Sequence, residues 1–364
     1  MEIENPDIFI SRRKSEHLRI VSEKDVLHRQ STLLGDVRLI HQALPEIDPE
    51  DVNISSELFG KKLAAPFIIT SMTGGAEFAR KLNEGLAQAA AGQSIAFAVG
   101  SQRIMLRHPE MTADFAVRKF IPEGVLFGNI GAVQLDEYSP KIIAEMIKTI
   151  EADGVCVHLN IAQELMQIEG HRHFRGMADN IARLVDAMNG KIIVKETGAG
   201  LSPESIQKLS AIGVTHIDVS GAGGTSWTKV EMHRATDKLL RQTADAFSNW
   251  GIPTAFSVIA GRKQLGESGF IIASGGISNG LDAARAISLG ADMAGFARPV
   301  LMAFLEKGIE GANEFIKQVK HELATAMLLV GAKNIKTLQL APRIYTGQLR
   351  HWLKAYNWLD KAKE

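Results

Sequence analysis

The sequence is poor in cysteine, in unbalanced charge and in long apolar runs, and each shortage excludes a class of protein. Its single cysteine, Cys156, excludes a disulfide framework and a metal site built from several thiolates. The 41 basic and 41 acidic residues balance, so no global field draws the chain to nucleic acid. No run approaches transmembrane length and no secretory signal is visible, so we expect a soluble cytoplasmic protein without membrane or nucleic-acid partners.

Short apolar runs alternate with helical patterns along most of the chain, which is typical of a parallel sheet covered by helices. About sixty residues of further structure precede the first apolar run. Together with the alternating runs and helical patterns, they predict one α/β domain over residues 1–364. We expect a (β/α)8 TIM barrel with an N-terminal extension (about 1–60) and a helical C-terminal tail from about Gly311. The count of eight favours the barrel over the alternative, a doubly wound open sheet. The predicted strands are Pro66–Met72, Ile95–Gly100, Val125–Asn129, Gly154–Leu159, Lys191–Lys195, Thr215–Ser220, Pro253–Val258 and Gly269–Ser274. The predicted helices include Phe78–Ala91, Ser139–Ala152, Met177–Met188, Pro203–Ile212 and Leu281–Leu289.

The run His158–Glu164 follows one of these apolar strands and is unusually polar for a strand end. It holds an imidazole, two carboxamides and a carboxylate, and the C-terminal ends of barrel strands form the catalytic face. Cys156 shares strand parity with His158 and Asn160 and should point into the barrel beneath them. There a small core filler is favoured over a nucleophile.

Two glycine-rich segments at the last predicted strand, Ala273–Ser278 and Gly295–Pro299, indicate a phosphate site. Barrels often hold phosphate here with backbone N–H groups at a helix N-terminus. Glycine lets the backbone approach the phosphate oxygens closely. The alternative is that these glycines only form tight turns.

Polar residues recur at the other strand ends, and their recurrence on one face favours a planar ligand with a phosphate tail, such as FMN. Singly, such residues commonly cap the next helix. Lys195 could stabilise negative charge on a reduced flavin near its N1–C2 side; the alternative is a salt bridge with Glu196 or a neighbour. The strand-end segments are Ser71–Gly75, Gly100–Arg103, Asn129, Lys195–Thr197 and Ser220–Thr225.

A second anion site is indicated by the basic run that contains Arg13, Lys14 and His17. It could clamp a diphosphate through charge-assisted hydrogen bonds, or it could be an ordinary solvated segment. Arg103 is a further candidate for the same anion. A diphosphate normally brings Mg²⁺, for which Glu164 is a candidate ligand; its alternative role is to interact with the dipole of the following helix.

Taken together, these motifs resemble the type 2, FMN-dependent isopentenyl-diphosphate delta-isomerases over nearly the whole chain. The His158–Glu164 run is the most specific single element. The others are Arg13-Lys14-x-Glu16-His17, Met72-Thr73-Gly74-Gly75, Gly100-Ser101-Gln102-Arg103 and Val194-Lys195-Glu196.

The resemblance implies a TIM barrel with bound FMN and Mg²⁺, NADPH as reductant, and a homotetramer or homo-octamer. It implies catalytic roles for Gln163 and Lys195, and Glu164 as the metal ligand. The flavin-binding residues would be Met72, Thr73, Gly74, Ser101, Asn129, Lys195, Thr225, Gly276, Ala297 and Arg298. The substrate-binding residues would be Arg13, Lys14, His17, Arg103, His158, Asn160 and Gln163.

Three positions depart from the family pattern. Thr197 replaces a serine and keeps the hydroxyl. Ser278 replaces an arginine beside the expected FMN phosphate, which should weaken flavin retention unless Arg298 substitutes for it. His171 replaces an acid, and the sequence offers no interpretation of that change.

The implied reaction interconverts isopentenyl and dimethylallyl diphosphates, which requires protonation of one carbon and proton loss two carbons away. An ordinary carboxylic acid is a poor match for that step. The hypothesis is therefore that reduced FMN acts as acid and base while Gln163 orients the substrate or assists proton loss.

The alternatives are an FMN-dependent 2-hydroxy-acid oxidoreductase and a non-catalytic flavin-binding barrel. The oxidase would need a histidine base at strand six, where Ser220–Thr225 has none.

Overall fold

The computed structural model describes the backbone of residues 6–72 and 77–359 and the side chains of residues 13–72 and 78–359. Three short strands come first, β1 (Val37–Leu39), β2 (Ser56–Leu58) and β3 (Lys61–Leu63). Eight parallel strands then form a closed barrel, in which the last strand pairs with the first. They are β4 (Phe67–Ile69), β5 (Ala96–Ala98), β6 (Leu126–Gly131), β7 (Gly154–Leu159), β8 (Ile192–Glu196), β9 (His216–Asp218), β10 (Phe270–Ala273) and β11 (Met293–Phe296). The predicted TIM barrel is therefore confirmed.

Helices lie between the barrel strands and at both ends of the described chain. None of those in its described part combines the length and apolar character that a membrane-spanning segment requires. Helix α1 (Pro6–Glu23) precedes the barrel. The others are α2 (Glu77–Gly92), α3 (Pro140–Thr149), α4 (Ile161–Met166), α5 (Met177–Ala187), α6 (Pro203–Ala211), α7 (Trp227–Arg234), α8 (Lys238–Ala246), α9 (Thr254–Leu265), α10 (Gly280–Ser288), α11 (Arg298–Leu329), α12 (Ile335–Gln339) and α13 (Gly347–Ala355).

One predicted strand is wrong. Pro253–Val258 forms the start of helix α9, with Pro253 in the capping position. This helix is buried on nearly all sides, from Thr254 to Gly261, so it lacks the polar positions that mark helical periodicity and resembles a buried strand. The eighth strand is instead β11, which the sequence assigned to a phosphate loop. Gly269–Ser274 therefore corresponds to the seventh strand.

The helical C-terminal tail is present, but its first helix begins at Arg298, before the expected Gly311. Helix α11 bends at Lys307 and Gly308, where the backbone leaves helical geometry. The tail also contains one strand, β12 (Arg343–Tyr345), which pairs antiparallel with β1. This pairing joins the C-terminal tail to the N-terminal extension.

The interior of the barrel is filled by apolar side chains, and the β2–β3 hairpin supplies Leu58 and Leu63 to the same cluster. Cys156 belongs to this cluster and is 3% exposed. Burial raises the pKa of its thiol to about 12, so the expected role as a core filler is confirmed. A packed interior leaves only the strand ends available for a ligand.

Two similar arginine–aspartate ion pairs, which we call clamps, hold the loops that precede β7 and β11. Arg118 Nη2 lies 2.9 Å from Asp153 Oδ2, and Arg262 Nη2 lies 2.7 Å from Asp292 Oδ2. In each case the same carboxylate oxygen accepts a backbone N–H of the preceding barrel strand at 2.8 Å. Each arginine also donates to loop carbonyls. Both clamps lie at the N-terminal ends of strands, where barrels place stabilising residues.

Candidate active site

A cavity of about 450 Å³ opens at the C-terminal ends of the barrel strands, and we call it the mouth cavity. All eight barrel strands contribute to its lining, through their last residues or the loops that follow. Helix α1 adds Lys14, His17 and Val21 to the lining. A cavity of this size is in the range that holds a cofactor or another small ligand.

The structure brings the predicted site residues together in the mouth cavity. Thr73 and Gly74 lie outside the described residues, and the roles of the others stay predictions. The predicted residues that line the cavity are Arg13, Lys14, His17, Met72, Ser101, Arg103, Asn129, His158, Asn160, Gln163, Glu164, Lys195, Thr225, Gly276, Ala297 and Arg298.

Lys195 is the penultimate residue of β8 and its ammonium group is buried at the cavity. Its Nζ donates to the carbonyl oxygen of Glu196 at 2.5 Å and lies 3.9 Å from Asp218 Oδ2. The Glu196 carboxylate is engaged elsewhere, because its Oε2 accepts backbone N–H groups of the following loop, including Thr197 at 2.6 Å. The neighbour that pairs with Lys195 is therefore Asp218, which the sequence interpretation did not identify.

His158 is held as a neutral imidazole. Its Nδ1 donates to Asn129 Oδ1 at 2.9 Å, an assignment that follows from the amide oxygen being an acceptor. Burial, with the nearby Lys195 charge, lowers the pKa of His158 to about 3. Neutral His158 then has an unprotonated Nε2, so it can donate to a phosphate oxygen only after taking up a proton.

Three cations converge at one side of the cavity. Lys14 Nζ donates to the carbonyl oxygen of Ser101 at 3.0 Å. Burial, together with the charges of Arg13 and Arg103, lowers the pKa of Lys14 to about 7. Burial and Arg13 likewise lower the pKa of Arg103. Because these cations disfavour one another's charge, a bound anion would relieve their repulsion.

Several buried polar atoms at the cavity lack a hydrogen-bond partner in the described structure. They are Arg13 Nε, Arg103 Nε, Ser71 Oγ and Asn160 Oδ1. An unsatisfied buried donor or acceptor costs about 1–3 kcal/mol. Their position in the cavity lining fits a polar ligand such as a phosphorylated cofactor or substrate.

The polar run His158–Glu164 spans the end of β7 and the start of the short helix α4, and several of its side chains bond to one another. Asn160 Nδ2 donates to Gln163 Oε1 at 3.3 Å and to Glu164 Oε1 at 3.0 Å. The other Glu164 oxygen accepts the backbone N–H of His171 at 2.7 Å. Any residue at 171 has that N–H, and the His171 imidazole instead pairs with Glu137 at 3.0 Å. The contact with Glu164 therefore does not require histidine.

The loop after α4 explains why so short a helix forms. Arg172 donates to the carbonyl oxygens of Glu164 and Gln167, which lie at the open C-terminal end of the helix. A Cβ atom at Gly170 would overlap the Glu164 carbonyl. Arg172 and Gly170 thus fix the last turn of α4 and, with it, the side chains of Gln163 and Glu164.

Glu231 of helix α7 is a functional candidate that the sequence interpretation missed. It is 1% exposed, and its Oε1 accepts from His17 Nε2 at 2.8 Å and from Gln163 Nε2 at 3.0 Å. Its Oε2 pairs with Arg234 Nη1 at 2.6 Å. Burial opposes its ionisation, but His17 and Arg234 hold the pKa of Glu231 below its usual range. We call Glu231, His17, Gln163 and Arg234 the Glu231 network.

The two expected phosphate-binding segments lie side by side, because β10 pairs with β11. Gly276 has a φ of +78°, and a Cβ there would overlap Thr32 and Gly223. Glycine is therefore required by the turn and its packing, whether or not a phosphate binds. Arg298 Nε donates to the carbonyl oxygen of Val21 at 3.1 Å, while the Ser278 hydroxyl bonds Asp282 at 2.9 Å.

The donor set fits a magnesium ion only if the ion is shared with a phosphorylated ligand. Among the residues that the structure describes, no group of three His, Cys, Asp or Glu side chains could hold a metal. Of the described residues that line the cavity, Glu164 is the single one with a carboxylate. One carboxylate with waters and phosphate oxygens is a usual environment for Mg²⁺.

Comparison with known proteins gives one matching family model and several sequence relatives. The family model of the FMN-dependent dehydrogenases matches residues 140–343. The isopentenyl-diphosphate delta-isomerase of Methanopyrus kandleri is 39% identical, over 94% of each chain. That of Metallosphaera sedula is 42% identical over 94% of each chain, and that of a Nostoc species is 42% identical over 90% of this chain and 93% of the relative.

Solved structures with the same architecture are more distant. A lactate oxidase of Pediococcus acidilactici has a TM-score of 0.67 at 15% identity, over 95% of this chain and 96% of the other. A mandelate oxidase mutant with benzaldehyde has a TM-score of 0.65 at 14% identity, over 93% and 98%. At these identities the likeness shows the barrel fold alone.

Proposed function

Because the chain belongs to the isopentenyl-diphosphate delta-isomerase family, we propose that it interconverts isopentenyl and dimethylallyl diphosphates with FMN and Mg²⁺ bound in the mouth cavity. The observation that carries the proposal is the joint placement of Lys195, Gln163 and Gly276 in one cavity lining. The sequence assigned these residues to the flavin ring, the substrate carbons and the flavin phosphate.

The flavin would be held by the strand ends. Lys195, Ser101 and Asn129 would contact the ring, and Gly276 with Arg298 would bind the phosphate. The unpaired Ser71 hydroxyl and the buried Lys195 ammonium fit a polar cofactor at this position. When bound and reduced, FMN would supply the acid and base for the proton shift, and its electron-rich ring would stabilise positive charge.

The diphosphate would lie at the cationic side of the cavity. Arg13, Lys14 and Arg103 are the donors, and the first and last of these have an unsatisfied Nε. A bound diphosphate would let Lys14 remain protonated, since it offsets the repulsion from Arg13. Glu164 would hold Mg²⁺, which would neutralise part of the diphosphate charge.

The substrate carbons would lie beside Gln163, whose amide is fixed from two sides. Glu231 accepts from its Nε2 and Asn160 donates to its Oε1. Its orientation is therefore set before substrate binds, so ordering it costs little entropy. Trp227 and Leu18 provide apolar lining in the same cavity.

The oxidase alternative lacks its base. Strand β9 leads into Ser220–Thr225, which contains no histidine, and the likeness to lactate and mandelate oxidases extends to the fold alone.

We also propose that NADPH is the reductant and that the protein is a cytoplasmic homotetramer or homo-octamer. Each chain would form a single domain, in which an arm of about residues 1–60 binds substrate.

The test is anaerobic incubation of dithionite-reduced, FMN-loaded protein with isopentenyl diphosphate and Mg²⁺, with the product followed by NMR. Gln163→Ala should retain flavin and lose turnover. Gln318→Ala, an exposed change on α11, is the matched control and should retain both. Full activity of the apoprotein without flavin would contradict the proposal.

A further inference from the structure

A buried carboxylate lies just below the floor of the mouth cavity. Asp218 is the last residue of β9 and lies in register with Lys195 on β8. The side chain of Asp218 is 3% exposed and that of Lys195 is 7% exposed. Asp218 is absent from the cavity lining, whereas Lys195 belongs to it. The barrel therefore places an acid behind the cation that faces the expected flavin.

The Asp218 carboxylate is fixed by two donors on one oxygen. Its Oδ1 accepts the Ser274 hydroxyl at 2.6 Å and the backbone N–H of Ser220 at 3.1 Å. An O–H···O distance this short is typical of a charged acceptor. The other oxygen, Oδ2, faces Lys195 Nζ at 3.9 Å. Burial raises the pKa of Asp218, while Lys195 and these hydrogen bonds oppose that rise.

Among the described residues, no titratable group other than Asp218 lies within ion-pair distance of the Lys195 ammonium, and Glu196 interacts with it only at longer range. His158 is neutral, since its pKa is lowered to about 3, and the Cys156 thiol stays protonated. The Glu196 carboxylate is turned to the backbone N–H groups of residues 197–200. Among the described residues around the Lys195 ammonium, Asp218 is thus the carboxylate placed to offset it.

We propose that Asp218 is a positioning residue that offsets the Lys195 charge and keeps the reduction potential of bound FMN low. A cation near the flavin N1–C2 region stabilises the negative charge of the reduced ring and raises its potential. A paired cation does so less, because the two fields partly cancel. This inference rests on the FMN binding in the proposed function.

The experiment measures the reduction potential of FMN-loaded protein by equilibration with a reference dye. Asp218→Asn keeps the shape and removes the charge, so it should shift the equilibrium toward reduced flavin by at least about tenfold, or about 30 mV for a two-electron couple. Ser274→Ala, which removes one hydrogen bond and keeps the carboxylate, should shift it less. An Asp218→Asn potential equal to or below that of the unchanged protein overturns the proposal.

A second comparison decides the matter if Asp218→Asn fails to fold or to retain FMN. Lys195→Met alone leaves an unpaired buried carboxylate, whereas the double change Asp218→Leu with Lys195→Met removes both charges, a replacement that buried pairs often tolerate. The potential should be lower in the single variant than in the double. Equal potentials refute the inference. Because neither measurement requires turnover, a protein that binds FMN without isomerising the alkene would refute the proposed function and leave this test intact.

Discussion

The Glu231 network permits a matched test of what burial does to an ion pair. Arg234 pairs with three glutamates, of which Glu231 at 2.6 Å and Glu16 at 3.1 Å differ most in exposure. The side chain of Glu231 is 1% exposed and that of Glu16 is 38% exposed. The same guanidinium thus serves as the partner in both pairs. The pairs differ in solvent access and in the further hydrogen bonds that Glu231 accepts from His17 and Gln163.

Replacing Glu231 by glutamine should destabilise the protein strongly. The variant leaves a partly buried Arg234 without its closest counter-charge, and breaking a buried pair costs about 3–5 kcal/mol. Arg234 keeps Glu16 and Glu169, at 3.1 and 3.2 Å, so we expect a cost below that range, about 2–3 kcal/mol. Glu16→Gln should cost less than about 1 kcal/mol, as exposed pairs do.

The assay is urea-induced unfolding at pH 7 for both variants, followed by steady-state kinetics on the folded proteins. Since Glu231 also fixes Gln163, the Glu231→Gln variant should lower kcat more than it raises KM, whereas Glu16→Gln should change neither. Equal unfolding free energies for the two variants would refute the argument from burial. An unchanged kcat in Glu231→Gln would refute the role in holding Gln163.

Three further predictions concern protonation and stability. The pKa of His158 is about 3 in the folded protein and about 6.5 in the unfolded chain. Between these pH values only the unfolded state binds the proton. The contribution of neutral His158 to the free energy of unfolding is therefore complete above pH 6.5 and is lost as the pH falls toward 3. Between pH 7 and pH 5, His158→Gln should lose about 2 kcal/mol less of its free energy of unfolding than the unchanged protein. Urea unfolding at both pH values measures this, and an equal loss in the two proteins would contradict it. Lys14, with a pKa of about 7, should take up about one proton per site when inorganic pyrophosphate binds at pH 8. Calorimetry in buffers of different ionisation enthalpy would detect the uptake, Lys14→Arg should abolish it, and buffer-independent heats would count against it. Arg262→Met breaks the clamp on Asp292 and should lower the free energy of unfolding by about 2–4 kcal/mol. The control Arg80→Met breaks an exposed i,i+4 pair with Glu84 and should cost less than about 1 kcal/mol. Thermal unfolding compares the two variants, and similar Tm values would contradict the role of the clamp.

The barrel, and the face on which the mouth cavity opens, could be predicted from the sequence. Apolar runs separated by helical patterns leave few architectures that bury both faces of every strand. Strand parity placed Cys156 in the core, and the polar ends of successive strands indicated one common rim. The same local patterns misjudged Pro253–Val258, because a helix buried on nearly all sides loses its periodic signal.

Which buried charges pair with one another could not be predicted without the folded structure. Glu231 lies 68 residues after Gln163 in the chain and becomes its hydrogen-bond partner only when α7 packs beside α4. Asp218 pairs with Lys195 only through the register of β8 and β9. Local patterns report whether a residue is buried and which way it points, whereas the partner of a buried charge depends on how the closed barrel brings distant strands together.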